Sequence, residues 1–287
     1  MACASGLIFW FFAILASVIS SPLPNITDVG PEYLDMLLQS GRYEEFSKHM
    51  KIEDVDLVRP TEGKDDWQPM FNKGLKYGDI LLSKEQLEEE RQGIRHDGGY
   101  KWPRNKVPYA ISSTFSVTQR RAIVKAIEVW NNQVQCVKFV PRKQGDKDYV
   151  LFFPGKGCYS YMGRRGGKQP ISLDTTGCLK ESVILHELDH AIGFAHEQSR
   201  FDRDKYINVL YENIPEDIRP QYAKTDSKQF NLQGSYDYYS LMHYPVNVPG
   251  TNKLAFTVLD KNINLSLMGH AKGLTQMDLQ KIRKLYC

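Results

Sequence analysis

The sequence predicts an α+β fold in which a sheet and two long helices precede a largely irregular region and a final helix. Short runs rich in Val, Phe and Tyr alternate with turns between residues 107 and 173, as strands do. Residues 116–130 and 182–192 repeat apolar side chains at helical spacing. Beyond residue 192 no such period persists until residues 275–286. The length of 287 residues allows one large domain with an appended segment, or two small domains.

Local patterns predict the individual elements. We expect strands at residues 107–111, 138–140, 149–153, 158–162 and 169–173. The last two strands flank a glycine-rich turn at residues 163–167. Ser116 and Gln119 form a capping box that opens the first helix. The apolar residues on one face of this helix are Ala122, Ile123, Ala126, Ile127 and Trp130. Those expected to be buried on the second helix are Ile184, Leu185, Leu188 and Ile192.

Residues 1–21 have the features of a signal peptide. Their apolar run, residues 7–19, is shorter than the ~20 residues that span a bilayer. It ends in Val-Ile-Ser-Ser, a small-x-small pattern that signal peptidase accepts. A buried strand or a membrane anchor are the alternatives, and the terminal position and the length disfavour them. We therefore expect a secreted, extracellular protein without a membrane span.

The cysteine content agrees with an oxidising compartment. Removal of Cys3 with the signal peptide leaves an even number of cysteines: Cys136, Cys158, Cys178 and Cys287. Such a set predicts disulfide bonds, and spacing alone leaves three pairings open. Asn25 and Asn264 begin N-glycosylation sequons, which are compatible with a secreted glycoprotein.

Charge divides the chain into an acidic front and a basic body. Residues 22–91 hold 9 Lys and Arg against 16 Asp and Glu, whereas residues 92–287 hold 28 against 18. The two regions could be ordinary solvated surfaces, or the front could cover the body and be removed later. A basic body can also bind nucleic acid. The secretion signal and the scattered lysines argue against that class of partner.

A metal-binding constellation lies on the second helix and just beyond it. His186 and His190 are one helical turn apart on the same face, and Glu187 lies beside them. Gly193 can take the left-handed conformation that ends a helix, so the chain can turn and bring His196 to the same ion. Three protein ligands with one open position are typical of catalytic zinc, which activates water and polarises a carbonyl. Glu187 could then transfer the proton of the water to the leaving amine.

Other interpretations of these residues fit less well. His-Glu-x-x-His also occurs by chance on solvated surface helices, but Gly193 and His196 in register make chance a poor explanation. A catalytically silent binding protein would be indicated by loss of Glu187, which is present. A structural zinc site would close its fourth position with Cys or His, and no such residue is evident.

The motifs resemble those of the astacin family of metzincin zinc endopeptidases. The matching stretches are the extended zinc signature at residues 186–204, Ser-Leu-Met-His-Tyr at residues 240–244, and the edge strand and turn at residues 158–173. The similarity covers residues 100–287. It implies an N-terminal subdomain with a twisted mixed sheet and two long helices, a zinc cleft, and a largely irregular C-terminal subdomain with a final helix.

The resemblance also implies roles for single residues. His186, His190 and His196 would bind one Zn²⁺ per chain, and Glu187 would be the general acid and base. Tyr244 would be a fifth, displaceable ligand whose phenol steadies the transition state. Met242 would pack beneath the metal in a Met-turn. The implied disulfide bonds are Cys136–Cys287 and Cys158–Cys178.

A precursor mechanism follows from the same resemblance. Asp79 would occupy the open position of the zinc until the propeptide is removed, although Gly-Asp can also be a simple turn. A trypsin-like protease would cut after Arg91, with Arg95 as a second option. Glu197 would then pair with the new α-amino group, unless it is an ordinary surface carboxylate.

These inferences combine into one expected organisation. Residues 1–21 are a signal peptide, residues 22–91 an inhibitory propeptide and residues 92–287 a zinc peptidase domain. The expected activity is hydrolysis of peptide bonds in proteins. Protein or peptide substrates would bind as an extended strand, antiparallel to the edge strand near residues 160–162.

Overall fold

A computed structural model describes residues 70–72, 75, 77–82, 86, 100–225 and 234–287. The predicted signal peptide, Cys3, Asn25 and both candidate cleavage sites, Arg91 and Arg95, lie outside these residues. The chain divides into two compact units, Met1–Asp56 with Ser112–Thr114, and Leu57–Ile111 with Phe115–Cys287. Of the first unit only residues 112–114 are described. The hydroxyl oxygens of Ser112 and Thr114 lie 2.7 Å apart.

The second unit is built around a six-stranded mixed sheet. Its strands are β1 (Ile80–Leu81), β2 (Lys106–Ile111), β3 (Lys138–Pro141), β4 (Tyr149–Phe153), β5 (Cys158–Tyr161) and β6 (Lys168–Leu173). The strand order is β1-β5-β6-β4-β2-β3. Only β5 and β6 pair antiparallel, and all other neighbours are parallel. The five strands predicted from the sequence are therefore present, and the sheet is mixed as expected.

Strand β1 was not predicted, and it covers the edge that was expected to receive substrate. Ile80 pairs with Ser160 and Leu81 with Tyr161, in parallel register. Ser160 donates its amide to the Asp79 carbonyl at 2.9 Å. A two-residue strand has no detectable alternation, so only its long-range partner reveals it. Residues of the expected propeptide thus occupy the outer edge of the sheet.

The described ranges 100–225 and 234–287 contain three α-helices: α1 (Val117–Gln133), α2 (Glu181–Ala191) and α3 (Gln276–Tyr286). The predicted capping box opens α1, since Ser116 accepts from the Gln119 amide and Gln119 accepts from the Ser116 amide. Thr275 and Asp278 form the same reciprocal arrangement at the start of α3. Among the described residues, no helix is long and apolar enough to cross a membrane.

The hydrophobic core lies between the sheet and helices α1 and α2. The predicted face of α1 buries Ile123, Ala126, Ile127 and Trp130, whereas every residue of α2 from Val183 to Ala191 is buried. Polar residues on a helix that is buried on all sides are costly unless they are paired, so their presence indicates a functional reason. The polar residues of α2 are therefore expected to form a site.

The region after α2 is largely irregular, as expected, but it contains a small two-stranded sheet that was not predicted. Strands β7 (Ile207–Val209) and β8 (Phe256–Val258) pair antiparallel. The described residues also form short 3₁₀ helices: Pro103–Asn105 before the first long helix, and Glu197–Ser199, Arg203–Lys205, Tyr211–Asn213, Glu216–Tyr222 and Leu265–Leu267 after α2. Asn264 is exposed and caps the last of these, accepting from the Ser266 amide at 3.1 Å.

Two disulfide bonds tie the elements together. Cys136, just after α1, is bonded to Cys287 at the end of α3, with 5.4 Å between their Cα atoms. Cys158 of β5 is bonded to Cys178, just before α2, with 5.7 Å between Cα atoms. Both pairs have the connectivity that the resemblance implied, and both bonds end next to elements of the site.

Candidate metal centre

The first two histidines lie on the inner face of α2. The ring centroids of His186 and His190 are 4.6 Å apart, and both residues are almost fully buried. Helical geometry produces this placement, since residues four apart are stacked one turn above the other.

Gly193 ends the helix and redirects the chain. Its φ of +111° lies in the left-handed region that favours glycine, and its amide donates to the His190 carbonyl at 2.8 Å. Three residues later His196 meets the other two rings from a different direction. Its centroid lies 5.3 Å from that of His186 and 4.8 Å from that of His190. The expected convergence of three imidazoles is therefore present.

The carboxylate of Asp79 completes the cluster. Its Oδ2 lies 3.1 Å from His186 Nε2, and its Oδ1 lies 3.2 Å from His190 Nε2 and 3.0 Å from His196 Nε2. One donor atom from each of the four residues lies within 4.8 Å of the others. Although burial alone would raise the pKa of Asp79, His196 and His190 hold it well below its ordinary value. The structure thus brings the aspartate of the expected propeptide to the three histidines.

The second ring nitrogens orient two of these imidazoles. Nδ1 of His186 lies 3.0 Å from the Leu241 carbonyl, and Nδ1 of His190 lies 2.7 Å from the Phe194 carbonyl. Each carbonyl accepts a hydrogen bond from Nδ1 and leaves Nε2 with a lone pair directed at the cluster. Burial lowers the pKa of His196 to about 4, so this ring is neutral at pH 7. Neutral imidazoles are the form that binds metal ions.

This donor set fits a zinc ion. Three imidazole nitrogens and one carboxylate oxygen, with backbone carbonyls behind two of the rings, match the nitrogen and oxygen ligands of tetrahedral zinc. A shared ion would also explain why four polar residues are buried so close together. Without an ion, their lone pairs face one another, which is unfavourable.

Glu187 lies between the first two histidines in the chain and is fully buried. Within the part of the chain that the structure describes, neither of its carboxylate oxygens has a hydrogen-bond partner. Burial raises the pKa of Glu187 well above its ordinary value, and the negative charge of Asp79 adds to this rise. A carboxylate kept without partners next to a metal site is suited to accept and return a proton.

Tyr244 and Met242 lie on the turn predicted from Ser-Leu-Met-His-Tyr. The Tyr244 ring centroid is 4.6 Å from that of His196, and its hydroxyl donates to the Tyr77 carbonyl at 3.3 Å. A Cβ at Gly78 would lie 2.4 Å from this hydroxyl, so glycine is required beside Asp79. Met242 is buried, and its carbonyl accepts the Glu197 amide at 3.0 Å. The tyrosine therefore contacts the segment that carries Asp79.

Glu197 is buried, so it is not an ordinary surface carboxylate. Its Oε1 accepts from Lys281 Nζ at 2.7 Å, the Asp237 amide at 2.8 Å and Arg200 Nη1 at 3.0 Å. Burial raises the pKa of Glu197, while Lys281 and Arg200 oppose that rise. The residue that follows the third histidine is thus tied to helix α3.

Sequence reasoning missed two residues of α3 that support the site, Lys281 and Asp278. Asp278 accepts from the Ser240 hydroxyl at 2.6 Å and from the Leu241 amide at 3.0 Å, and so holds the turn whose carbonyl orients His186. Their position in the sequence could have revealed them, because both lie at helical spacing on the face of α3 that buries Ile282. Charged residues on an apolar face predict buried partners.

Curated proteins similar to this chain include zinc metalloproteinases. Zinc metalloproteinase nas-8 of Steinernema carpocapsae is 36% identical over 214 residues, which are 73% of this chain and 51% of that protein. Zinc metalloproteinase nas-13 of Caenorhabditis elegans is 40% identical over 188 residues, 65% of this chain and 41% of that protein. This chain therefore spans about half the length of these curated relatives.

A solved structure shares the fold. High choriolytic enzyme 1, a hatching enzyme zinc-protease from the medaka Oryzias latipes, superposes with a TM-score of 0.58 at 30% identity. The superposition covers 72% of this chain and 98% of that one. Residues 95–287, which include all three histidines, match the model of the peptidase family described as Astacin. The chain is thus a member of the astacin family of zinc peptidases.

Proposed function

We propose that this chain is a secreted zinc endopeptidase, made as a precursor and activated by removal of its propeptide. The observation that carries the proposal is the convergence of three buried imidazoles with the unpartnered carboxylate of Glu187 beside them. His186, His190 and His196 would hold one zinc ion through their Nε2 atoms. The family membership and the names of the relatives support the same activity.

Zinc, when bound there, supplies a Lewis acid that polarises the scissile carbonyl and lowers the pKa of a coordinated water. Glu187 is the proton carrier in this proposal. Its buried carboxylate accepts the proton of the attacking water at a carboxylate oxygen and then donates it to the nitrogen of the leaving amine. Of the two causes that raise the pKa of Glu187, burial belongs to helix α2 itself, whereas the charge of Asp79 leaves with the propeptide.

Tyr244 would assist once the propeptide has left. Its hydroxyl donates to the Tyr77 carbonyl in the precursor, and removal of residue 77 takes that acceptor away. A phenol within reach of the cleft can donate to the oxygen on which negative charge develops. We therefore include Tyr244 among the catalytic residues and as a displaceable ligand in the resting enzyme.

Substrate would bind along β5 after β1 has been removed. The backbone of residues 160–162 pairs with the propeptide at present, through the Ser160 amide at 2.9 Å and the Met162 amide at 3.4 Å. A substrate strand can use the same backbone groups, and strand addition of this kind depends little on side chains. The propeptide runs parallel to β5, whereas the proposed substrate runs antiparallel. The propeptide would thus fill the cleft in a direction that differs from that of a cleavable chain.

Maturation would remove Asp79 from the histidine cluster and β1 from the substrate edge in one step. Asp79 occupies the histidine cluster and β1 covers the substrate edge, and both precede Arg91 and Arg95 in the chain. A trypsin-like protease that cuts after either arginine would separate these residues from the peptidase domain. The predicted signal peptide at residues 1–21 supports secretion, and two disulfide bonds suit an oxidising compartment.

The test is maturation of the purified full-length precursor by trypsin, followed by a fluorogenic peptide assay with and without o-phenanthroline. The proposal predicts negligible cleavage before trypsin, cleavage after it, and loss of cleavage when the chelator removes the metal. Complete maturation of a folded, zinc-containing protein that cuts no peptide or protein substrate would contradict the proposal.

A further inference from the structure

Helix α3 supports the metal centre from behind through two residues three positions apart. Asp278 holds the Leu241 amide, and the Leu241 carbonyl orients His186. Lys281 holds Glu197, the residue that follows His196. Residues three apart share one face of a helix, so a single helix face contacts the chain segments behind the first and the third ligand.

The ammonium group of Lys281 is buried, and neither the metal ligands nor Glu187 accounts for that burial. Only 5% of this residue is exposed, although lysine is almost never buried without a partner. Its partner is Glu197 Oε1 at 2.7 Å, which also accepts the Asp237 amide and Arg200 Nη1. This carboxylate oxygen therefore already has three donors, two of them cationic, while the propeptide is still attached.

Helix α3 cannot easily move away from Glu197. Cys287 is bonded to Cys136, and the Tyr286 hydroxyl donates to the Ile192 carbonyl at 2.8 Å, next to the end of α2. The Glu197 amide in turn donates to the Met242 carbonyl at 3.0 Å. The backbone beside His196 is thus held from two sides, by the Met-turn and by α3.

We propose that Lys281 is a positioning residue, a built-in cation that fixes Glu197 and thereby His196 in the precursor and in the mature enzyme alike. The resemblance assigns the role of cation to the α-amino group of the mature chain. A carboxylate that already has two cations within 3.0 Å gains little from a third. Zinc affinity and activity therefore depend on Lys281 and not on the position at which the mature chain begins.

The first test measures zinc affinity of the full-length precursor by competition with a chelator. Lys281→Met keeps the length of the side chain and removes its charge, and we expect zinc affinity to fall about 10- to 100-fold, as for other residues that orient metal ligands. Lys284→Met is the matched control, because Lys284 lies on the exposed side of the same helix, and its affinity stays within about twofold of wild type.

A double variant separates this role from a general loss of structure. Glu197→Gln alone leaves Lys281 buried without its carboxylate, so it also weakens zinc binding. Combined with Lys281→Met it acts on the same ion pair, so the affinity of the double variant should lie within about twofold of that of the weaker-binding single variant. A double variant that loses as much as the sum of the single losses, or a Lys281→Met precursor with wild-type affinity, overturns the proposal.

The second test concerns the mature N-terminus and rests on the proposed function. Arg95→Gln and Arg91→Gln restrict trypsin to one of the two sites, and mass spectrometry verifies the resulting termini. We expect the two mature forms to differ by less than about twofold in kcat/KM. A difference of about tenfold or more would overturn the proposal. Inactivity of both mature forms and of the matured wild type would instead contradict the peptidase function, and the zinc measurements would still test Lys281.

Discussion

Oδ2 of Asp79 lies 3.1 Å from Nε2 of His186, although 107 positions separate the two residues in the chain. The oxygen belongs to the segment expected to be removed, and the nitrogen belongs to the segment expected to hold the metal. Pairing of β1 with β5 fixes this approach, because Ile80 follows Asp79 directly and aligns with Ser160. In the proposed function, latency and substrate binding would thus depend on the same strand edge.

Asp79→Asn should weaken this latency. An amide is a poorer metal ligand than a carboxylate and carries no charge to attract the cluster. We expect the untreated precursor to cleave peptide at least about tenfold faster than wild type, measured as initial rate. Asp260→Asn, at an exposed position, is the control and should not change the basal rate. Equal basal rates for the Asp79 variant and wild type would speak against a blocking role.

Glu187→Gln should separate catalysis from metal binding. The glutamine side chain has nearly the same volume but cannot accept the proton of the attacking water. We expect kcat of the mature enzyme to fall by about 10³-fold or more, while one zinc per chain and the melting temperature are retained. A peptide-cleavage assay measures kcat, metal analysis measures the zinc content, and thermal unfolding measures the melting temperature. Substantial residual activity would show that another group carries the proton.

Tyr244→Phe should lower kcat more than it changes KM. The variant keeps the ring that packs 4.6 Å from His196 and removes only the hydroxyl. Loss of one donor to the developing negative charge typically costs about 100-fold in kcat. Tyr238→Phe is a suitable control, because that hydroxyl donates to the Tyr206 carbonyl away from the metal. A Tyr244→Phe enzyme as fast as the control would remove Tyr244 from the mechanism.

The two disulfide bonds should contribute unequally to stability. Cys158–Cys178 closes a loop of sequence separation 20, and Cys136–Cys287 one of separation 151. The chain-entropy estimate is about 3 kcal/mol for the shorter loop and about 5 kcal/mol for the longer. In denaturant unfolding, the double Cys→Ser variant of Cys136 and Cys287 should therefore lose more free energy of unfolding than the double variant of Cys158 and Cys178. The reverse order would show that native contacts, not loop length, decide the contribution.

Local chemistry allowed much of this molecule to be predicted. The capping box at Ser116 and the apolar spacing after it predicted α1, and the spacing of His186, His190 and Gly193 predicted the turn towards His196. These features depend on residues close together in the chain. For the same reason all five predicted strands are present, although their order in the sheet was not predicted.

The features that were missed depend on residues distant in the chain. Strands β1, β7 and β8 have two or three residues, too few for a period to be visible, and their pairing is known only from the folded chain. The ion pair of Lys281 with Glu197 joins residues 84 positions apart. A lysine on an apolar helix face indicates a buried partner, but it does not say which carboxylate will meet it.

The most direct test of the whole account is X-ray absorption spectroscopy on the matured wild-type protein, combined with metal analysis of the same sample. The account predicts one zinc per chain with three imidazole nitrogens at about 2.0–2.1 Å, and loss of one of them in a His196→Ala variant. A folded, mature protein without stoichiometric zinc, or a nitrogen shell that His196→Ala leaves unchanged, would contradict it.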